Sequence, residues 1–302
     1  MMPAIDVTGE LLKSVSRSFY LTIRFLPVEM RPAIALGYML ARATDSVADS
    51  IQSHTELRYA MLKRMNQAIT GEASPEEMQA LSADLSEKVA PVVTSASEQQ
   101  LLREFGTCLQ ALTSFDENQR ALIRKVLATI IDGQLWDLTA FADVDTVSSD
   151  DETRRYTYMV AGCVGEFWTE LGYATMGERF CAEKRHELMR KAGVRYGQGL
   201  QLINILRDME EDAARGRHYL CSDTSKWLHR AESYMNDGID YSRRLGSFKL
   251  RFASILPALI GKKTIHLLRR STLGKGKVKI KRSAVYLTLI KAFFICLTRR
   301  AS

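Results

Sequence analysis

The chain has 302 residues, 46% hydrophobic and 25% charged, a balance that builds a sizeable core and excludes a disordered or collagen-like protein. Six prolines and eighteen glycines are few for that length, so long helices are favoured over a strand-rich sandwich or barrel. The net charge of +7 is unevenly held: residues 241–302 carry sixteen Lys and Arg and no Asp or Glu, leaving 26 basic against 35 acidic residues before them, and such a tail suits nucleic acid, an anionic membrane face or a phosphorylated small molecule.

Leu11, Leu12, Val15, Phe19 and Ile23 recur near helical spacing and predict a first helix over 8–25, closed at the Leu26-Pro27 step. A second, rich in Ala, Leu and Met, covers 33–51. A third, amphipathic, covers 55–71 and stops at Gly71; Pro75-Glu76-Glu77 then has the proline and acidic first turn of a helix start. The pattern continues over 97–112 and 117–141. Residues 142–152 form a polar connector, in which Asp150-Asp151 reads as a helix N-terminal cap rather than a metal site. Helices over 153–175, 182–209 and 225–245 follow, then a basic region with Pro257, a Gly274-Lys275-Gly276 loop and a last apolar helix. No internal repeat or linker interrupts the series, so the expectation is one all-α domain over 1–302.

Five cysteines, odd in number and without a CxxC pair, indicate neither a disulfide framework nor a zinc site, and a reduced cytoplasmic setting fits them. No basic-then-apolar leader is visible. The longest apolar stretch, 284–298, is interrupted by Lys291 and falls short of the ~20 residues that span a bilayer, so no integral anchor is expected.

The chemistry lies in two acidic pairs. Asp45 and Asp49, and again Asp208 and Asp212, stand four residues apart within predicted helices, which puts both carboxylates of each pair on one face. Like charges so placed repel unless something offsets them, and a divalent cation would. Tyr38 and Arg42 precede the first pair on roughly the same side, and Gln201, Asn204 and Arg207 precede the second. Asn204, Asp208 and Asp212 form an i, i+4, i+8 row of oxygen ligands that begins in an apolar stretch. A lone pair of this kind is more often a solvated helix face; two pairs, each beside arginines and set in apolar helix, weaken that reading. Mg²⁺ typically takes one or two carboxylates plus phosphate oxygens and water, so acids beside Arg42, Arg207, Arg215 and Arg217 suggest a metal-bridged diphosphate. Its departure would leave a carbocation that faces such as Tyr38, Tyr156 and Phe19 could stabilise.

Three stretches resemble the squalene/phytoene synthase family. They are Ser16-Arg17-Ser18-Phe19 running on to Tyr38-Met-Leu-Ala-Arg42-Ala-Thr-Asp45-Ser-Val-Ala-Asp49; Tyr156-Thr-Tyr-Met-Val-Ala-Gly-Cys-Val-Gly165; and Gln201-Leu-Ile-Asn204-Ile-Leu-Arg207-Asp208-Met-Glu-Glu-Asp212-Ala-Ala-Arg-Gly-Arg-His-Tyr219. The likeness runs in order from about residue 14 to 290. It implies an all-α isoprenoid synthase bundle with a central cavity and Mg²⁺, with Mn²⁺ as a substitute ion, bound through diphosphate by Asp45, Asp49, Asp208 and Asp212, with Asn204 beside them. The implied reaction is head-to-head condensation of two prenyl diphosphates through a cyclopropyl intermediate. By the same matching Arg17 and Arg42 are prenyl-diphosphate ligands, Arg207 contacts diphosphate or cofactor phosphate, Tyr156 handles a proton, and Ser16, Ser18, Phe19, Tyr38, Gln201 and Asn204 line the substrate pocket.

The family divides into C30 squalene, C30 dehydrosqualene and C40 phytoene producers. Residues 276–286 resemble the basic loop of NADPH-using squalene synthases, with Lys279 and Lys281 at its phosphate-binding positions, which implies squalene made from farnesyl diphosphate with NADPH; dehydrosqualene or phytoene synthesis without reduction is the alternative. Lys281 stands where Arg is usual and loses the bidentate fork, Ala48 stands where squalene synthases often carry another acid, and Cys221 replaces a usual proline. A solvated edge is the plain reading of these lysines. The last helix, apolar on nearly all sides and flanked by basic residues, reads as core packing with peripheral contact at the inner face of a membrane. The rival class is a non-catalytic basic protein that binds nucleic acid or membrane through 241–302; the resemblance argues for an enzyme with no nucleic-acid partner.

Overall fold

Burial of helix faces organises the chain into two units divided after Leu138. The computed structural model describes residues 9–16, 19–50, 54–141, 144–270 and 282–297; Arg17, Ser18, Lys279, Lys281 and the Gly274–Gly276 loop lie outside them.

In the first unit, α1 (Glu10–Ser16) and α2 (Phe19–Phe25) lead into α3 (Arg31–Ala48). Proline near its N-terminus starts α3, where the missing N–H costs no helical bond. Ala33, Leu36, Leu40 and Ala43 are wholly or almost wholly buried, and each buried leucine contributes about 2 kcal/mol. Packed on α3 or beside it are α4 (Thr55–Thr70), α5 (Pro75–Asp84), α6 (Ala96–Arg103) and α7 (Phe105–Leu112); α8 (Glu117–Thr139) ends the unit. Gly71, at φ 88°, ends α4 in the left-handed region that favours glycine. Ser74 and Glu77 exchange bonds as a capping box that starts α5.

The second unit contains α9 (Asp150–Thr157), a wide π turn over Tyr158–Gly162, α10 (Cys163–Met176), α11 (His186–Ala213), α12 (Thr224–Arg244), α13 (Phe248–Arg270) and α14 (Arg282–Leu297). The 28-residue α11 is its spine, packed against α10, α12 and α13. Glycines set how close the spine's neighbours come: a Cβ on Gly165 would lie 1.9 Å from the Gly193 carbonyl oxygen, and one on Gly197 would lie 2.2 Å from the Ala161 carbonyl oxygen.

Several boundaries differ from the sequence reading. Residues 97–112 form two helices meeting at Glu104, whose ψ of 6° breaks the helical path and lets fully buried Phe105 head the second. Ser149, not the Asp150-Asp151 pair, caps α9 by accepting from the Glu152 amide. The helix expected over 153–175 is divided by the π turn. The basic region around Pro257 is helical: α13 continues through the proline, and burial of Leu250, Ile255, Ala258, Leu259 and Leu268 outweighs the lost backbone bond. Among the described residues no strand forms; Thr146 and His218 make an isolated β-bridge.

Candidate active site

On α3, Asp45 and Asp49 stand one turn apart at the C-terminal end of the helix. Gln134 of α8 donates its amide Nε2 to Asp45 Oδ1 at 2.6 Å and to Thr44 Oγ1 at 3.1 Å. Burial and then the charge of Asp49 push the Asp45 carboxyl up to about 6, against the Gln134 hydrogen bond and Arg42, which favour the carboxylate. Asp49 is exposed, and Arg58 closes the same helix end by donating to the Ala48 carbonyl at 2.8 Å.

One turn before Asp45, Arg42 donates Nη2 to Glu98 Oε1 at 2.5 Å, and Ser46 donates to the other Glu98 oxygen at 3.1 Å. Glu98 of α6 thereby fixes the guanidinium beside the acidic pair. Tyr38 packs on Phe19 with ring centroids 5.1 Å apart and donates its hydroxyl to the Val15 carbonyl at 3.3 Å. Ser16 is buried and donates to the Leu12 carbonyl at 2.5 Å, within its own helix. The first unit thus gathers Phe19 with Tyr38, and Arg42 with Asp45 and Asp49. Gln134 and Glu98 join the expected residues there; a polar residue among Ile130, Ile131 and Leu135 was the available signal for Gln134, and nothing local marked Glu98.

On α11, Gln201 is half-buried and accepts from Asn204 Nδ2 at 3.4 Å, while Asn204 itself is exposed. Arg207 donates Nε to Asp208 Oδ1 at 2.8 Å, so this acid already has a cationic partner. Asp212 lines a small cavity with Met209, Arg217, His218 and Tyr219. Gly216, at φ 71°, turns the chain after the helix. The returning strand of chain is then held by backbone bonds from His218 N to Asp145 O at 2.8 Å and from Val147 N to His218 O at 3.0 Å. The His218 ring lies 2.9 Å from the same Asp145 carbonyl and acts as a strut.

That return seats Tyr219 flat against Tyr156, centroids 5.0 Å apart and planes 12° apart, with Phe141 edge-on at 5.1 Å. Thr153 fixes the Tyr219 carbonyl with a 2.7 Å bond. Tyr156 is therefore tied through Tyr219 to the cavity that Asp212 lines. Asp150, on α9, is paired with Lys226, which holds its carboxyl down at about 2 and gives it a structural task.

Among the described residues no three His, Cys, Asp or Glu side chains gather as a metal cage. A magnesium ion does not require one, because two carboxylates from one row with diphosphate oxygens and water complete its coordination. The donor set fits: hard oxygens one turn apart on each helix, with Asp45 destabilised as a carboxylate in a way that a cation would relieve.

An all-α chain with these helices has the isoprenoid synthase fold: the solved structure of TcSQS with the ligand E5700 matches at a TM-score of 0.71 over 95% of this chain and 86% of that one, at 20% identity. The family model for squalene/phytoene synthase matches residues 12–226, and the chain belongs to that family. The squalene synthase of Eremothecium gossypii is 26% identical over 248 residues, 77% of this chain and 51% of that protein. The presqualene diphosphate synthase of Rhodopseudomonas palustris is 31% identical over 211 residues, 70% of this chain and 60% of that protein. The chain spans about half the length of the curated relatives it matches.

Proposed function

We propose that this protein is a farnesyl-diphosphate farnesyltransferase that condenses two farnesyl diphosphates head to head through presqualene diphosphate and reduces the product to squalene with NADPH. The observation that carries the reading is that the family match over 12–226 takes in both acidic rows, with Asp45 in α3 and Asp49 its C-cap one turn on, and Asp208 and Asp212 one turn apart within α11.

Asp45, Asp49, Asp208 and Asp212, with Asn204, would hold Mg²⁺ or Mn²⁺; when bound, the ion supplies positive charge against which diphosphate leaves. The chain's own groups do the rest. Arg42, oriented by Glu98, and Arg17 bind diphosphate oxygens, and Arg207 does so beside Asp208. Phe19 and Tyr38 present aromatic surface to the isoprenoid chain. The first condensation joins two C15 units, expels one diphosphate and releases one proton; Tyr156, its ring stacked on Tyr219, relays that proton by passing its own hydroxyl proton to the expelled diphosphate as it takes up the new one. When bound, NADPH would supply the hydride that the second, reductive step requires. Lys279 and Lys281 are the proposed NADPH phosphate ligands, with Arg207.

The test is product analysis of the purified protein given farnesyl diphosphate and Mg²⁺, with and without NADPH. Squalene formed only with NADPH, and presqualene diphosphate accumulating without it, is the expected result. Presqualene diphosphate in both arms keeps the condensation and removes the reduction. A conjugated triene, or a demand for geranylgeranyl diphosphate, replaces the reading with a dehydrosqualene or phytoene synthase.

A further inference from the structure

The π turn over Tyr158–Gly162 follows directly on the end of α9, the helix that carries Tyr156. Beside it α11 runs so close that Gly197 has no room for a Cβ against the Ala161 carbonyl, and the next residue of α11, Gln198, reaches across to α9. Gly162 clears its path, since a Cβ there would lie 2.9 Å from Gln198 Cγ. Gln198 is 9% exposed, and a buried amide needs partners. Its Nε2 donates to the Arg154 carbonyl at 2.9 Å and to Thr157 Oγ1 at 3.4 Å. A carbonyl only accepts, so the amide nitrogen and not its oxygen faces α9.

These contacts bracket Tyr156, two residues before it and one after. The Thr157 hydroxyl turns back to the carbonyls of Thr153 and Arg154, at 2.9 and 3.0 Å. The Thr153 hydroxyl in turn holds the carbonyl of Tyr219, on whose ring Tyr156 stacks. Tyr158 donates to the buried Glu166 at 2.7 Å, which ties the π turn to α10 as well. One run of hydrogen bonds that begins at Gln198 therefore sets both rings of the stacked pair. Gln198 stands on the helix that also carries Asp208 and Asp212, so its bonds fix Tyr156 against the helix of the second acidic row.

We infer that Gln198 is the positioning residue for Tyr156: its amide, bonded to the last turn of α9, holds the ring where it relays the proton released in the first condensation. That role rests on the relay assigned to Tyr156 above. A relay works only within hydrogen-bond reach of its proton, and a misplacement of about 1 Å can cost about a hundredfold in rate. Stability depends less on Gln198, because without it the Arg154 carbonyl keeps the Tyr158 amide and the Thr157 hydroxyl as donors and is not orphaned.

Formation of presqualene diphosphate by the full chain from farnesyl diphosphate and Mg²⁺, without NADPH, tests this. Gln198→Leu, close in size but without the donor, is expected to lower kcat about tenfold or more with KM within about twofold and the protein folded. In a Tyr156→Phe background the same substitution should add almost nothing, because the two residues act as one unit. Gln198→Glu gives a second readout, and decides the matter if the leucine variant does not fold. A protonated carboxyl donates where the amide did and a carboxylate cannot, so its rate relative to wild type should rise as pH falls. A folded Gln198→Leu variant with wild-type kcat, losses that multiply in full in the double variant, or a Gln198→Glu ratio flat with pH, each overturns the role of Gln198 and leaves Tyr156 in place. Tyr156→Phe working at the wild-type rate removes the relay itself, and the role of Gln198 with it.

Discussion

Among the described carboxyl groups, Asp45 stands out for an environment that opposes its charge. Its carboxyl titrates near 6 in the folded protein against an ordinary value of 3.8, because burial and then Asp49 disfavour the anion. A raised acid binds its proton more tightly folded than unfolded, so its contribution to stability falls as pH rises from about 3.8 to about 6 and stays reduced above that. Asp45→Asn keeps an acceptor for Gln134 and removes the charge. The variant is expected to be more stable than wild type by on the order of 1–2 kcal/mol at about pH 7.5 and equal to it near pH 4, while losing product formation. Denaturant melts at the two pH values check this, and a variant no more stable at the higher one would show that Asp45 carries no such cost. The acidic pairs were legible as i, i+4 repeats within apolar helix, since that pattern is local. Their supports were not: Gln134 lies 89 residues from Asp45 and Glu98 lies 56 from Arg42, separations that no periodicity spans.

For elements, the close seam between α10 and α11 makes the sharpest demand. Gly165 and Gly193 meet backbone to backbone, so even one methyl group at Gly165 would collide with the Gly193 carbonyl, which cannot swing aside as a side chain could. Gly165→Ala is therefore expected to cost about 2–4 kcal/mol. Gly177, at φ 55° with open space around its would-be Cβ, should cost about 1 kcal/mol as alanine from its backbone alone. Equal losses in thermal or urea unfolding would refute the close approach. Most helices were readable from apolar spacing and from punctuation such as Gly71 and Ser74-Pro75. The break at Glu104 and the π turn at Tyr158–Gly162 were not, because no proline marks either and each lies inside a run with helical apolar spacing. Pro257 misled in the opposite sense: a breaker is tolerated where the helix on either side is buried.

At the scale of the whole molecule, charge separates the acidic residues 1–240 from the basic tail, and the two aspartate rows fall in different units of the fold, Asp45 and Asp49 in the first and Asp208 and Asp212 in the second. The family and the all-α fold were legible from three motifs in order; the division after Leu138 coincides with the end of α8 and lies just before the polar connector at 142–152, which the sequence showed as a connector and not as a boundary between units. The proposed reaction needs both rows, since each unit supplies two of the four aspartates. Release of diphosphate from farnesyl diphosphate with Mg²⁺ tests that need, measured for wild type, Asp45→Asn and Asp208→Asn, each confirmed folded. Either substitution alone should lower the rate by roughly a hundredfold or more, and combining them should add little, because groups acting as one unit are not additive. A single variant that releases diphosphate at the wild-type rate would contradict the claim that both rows serve one reaction.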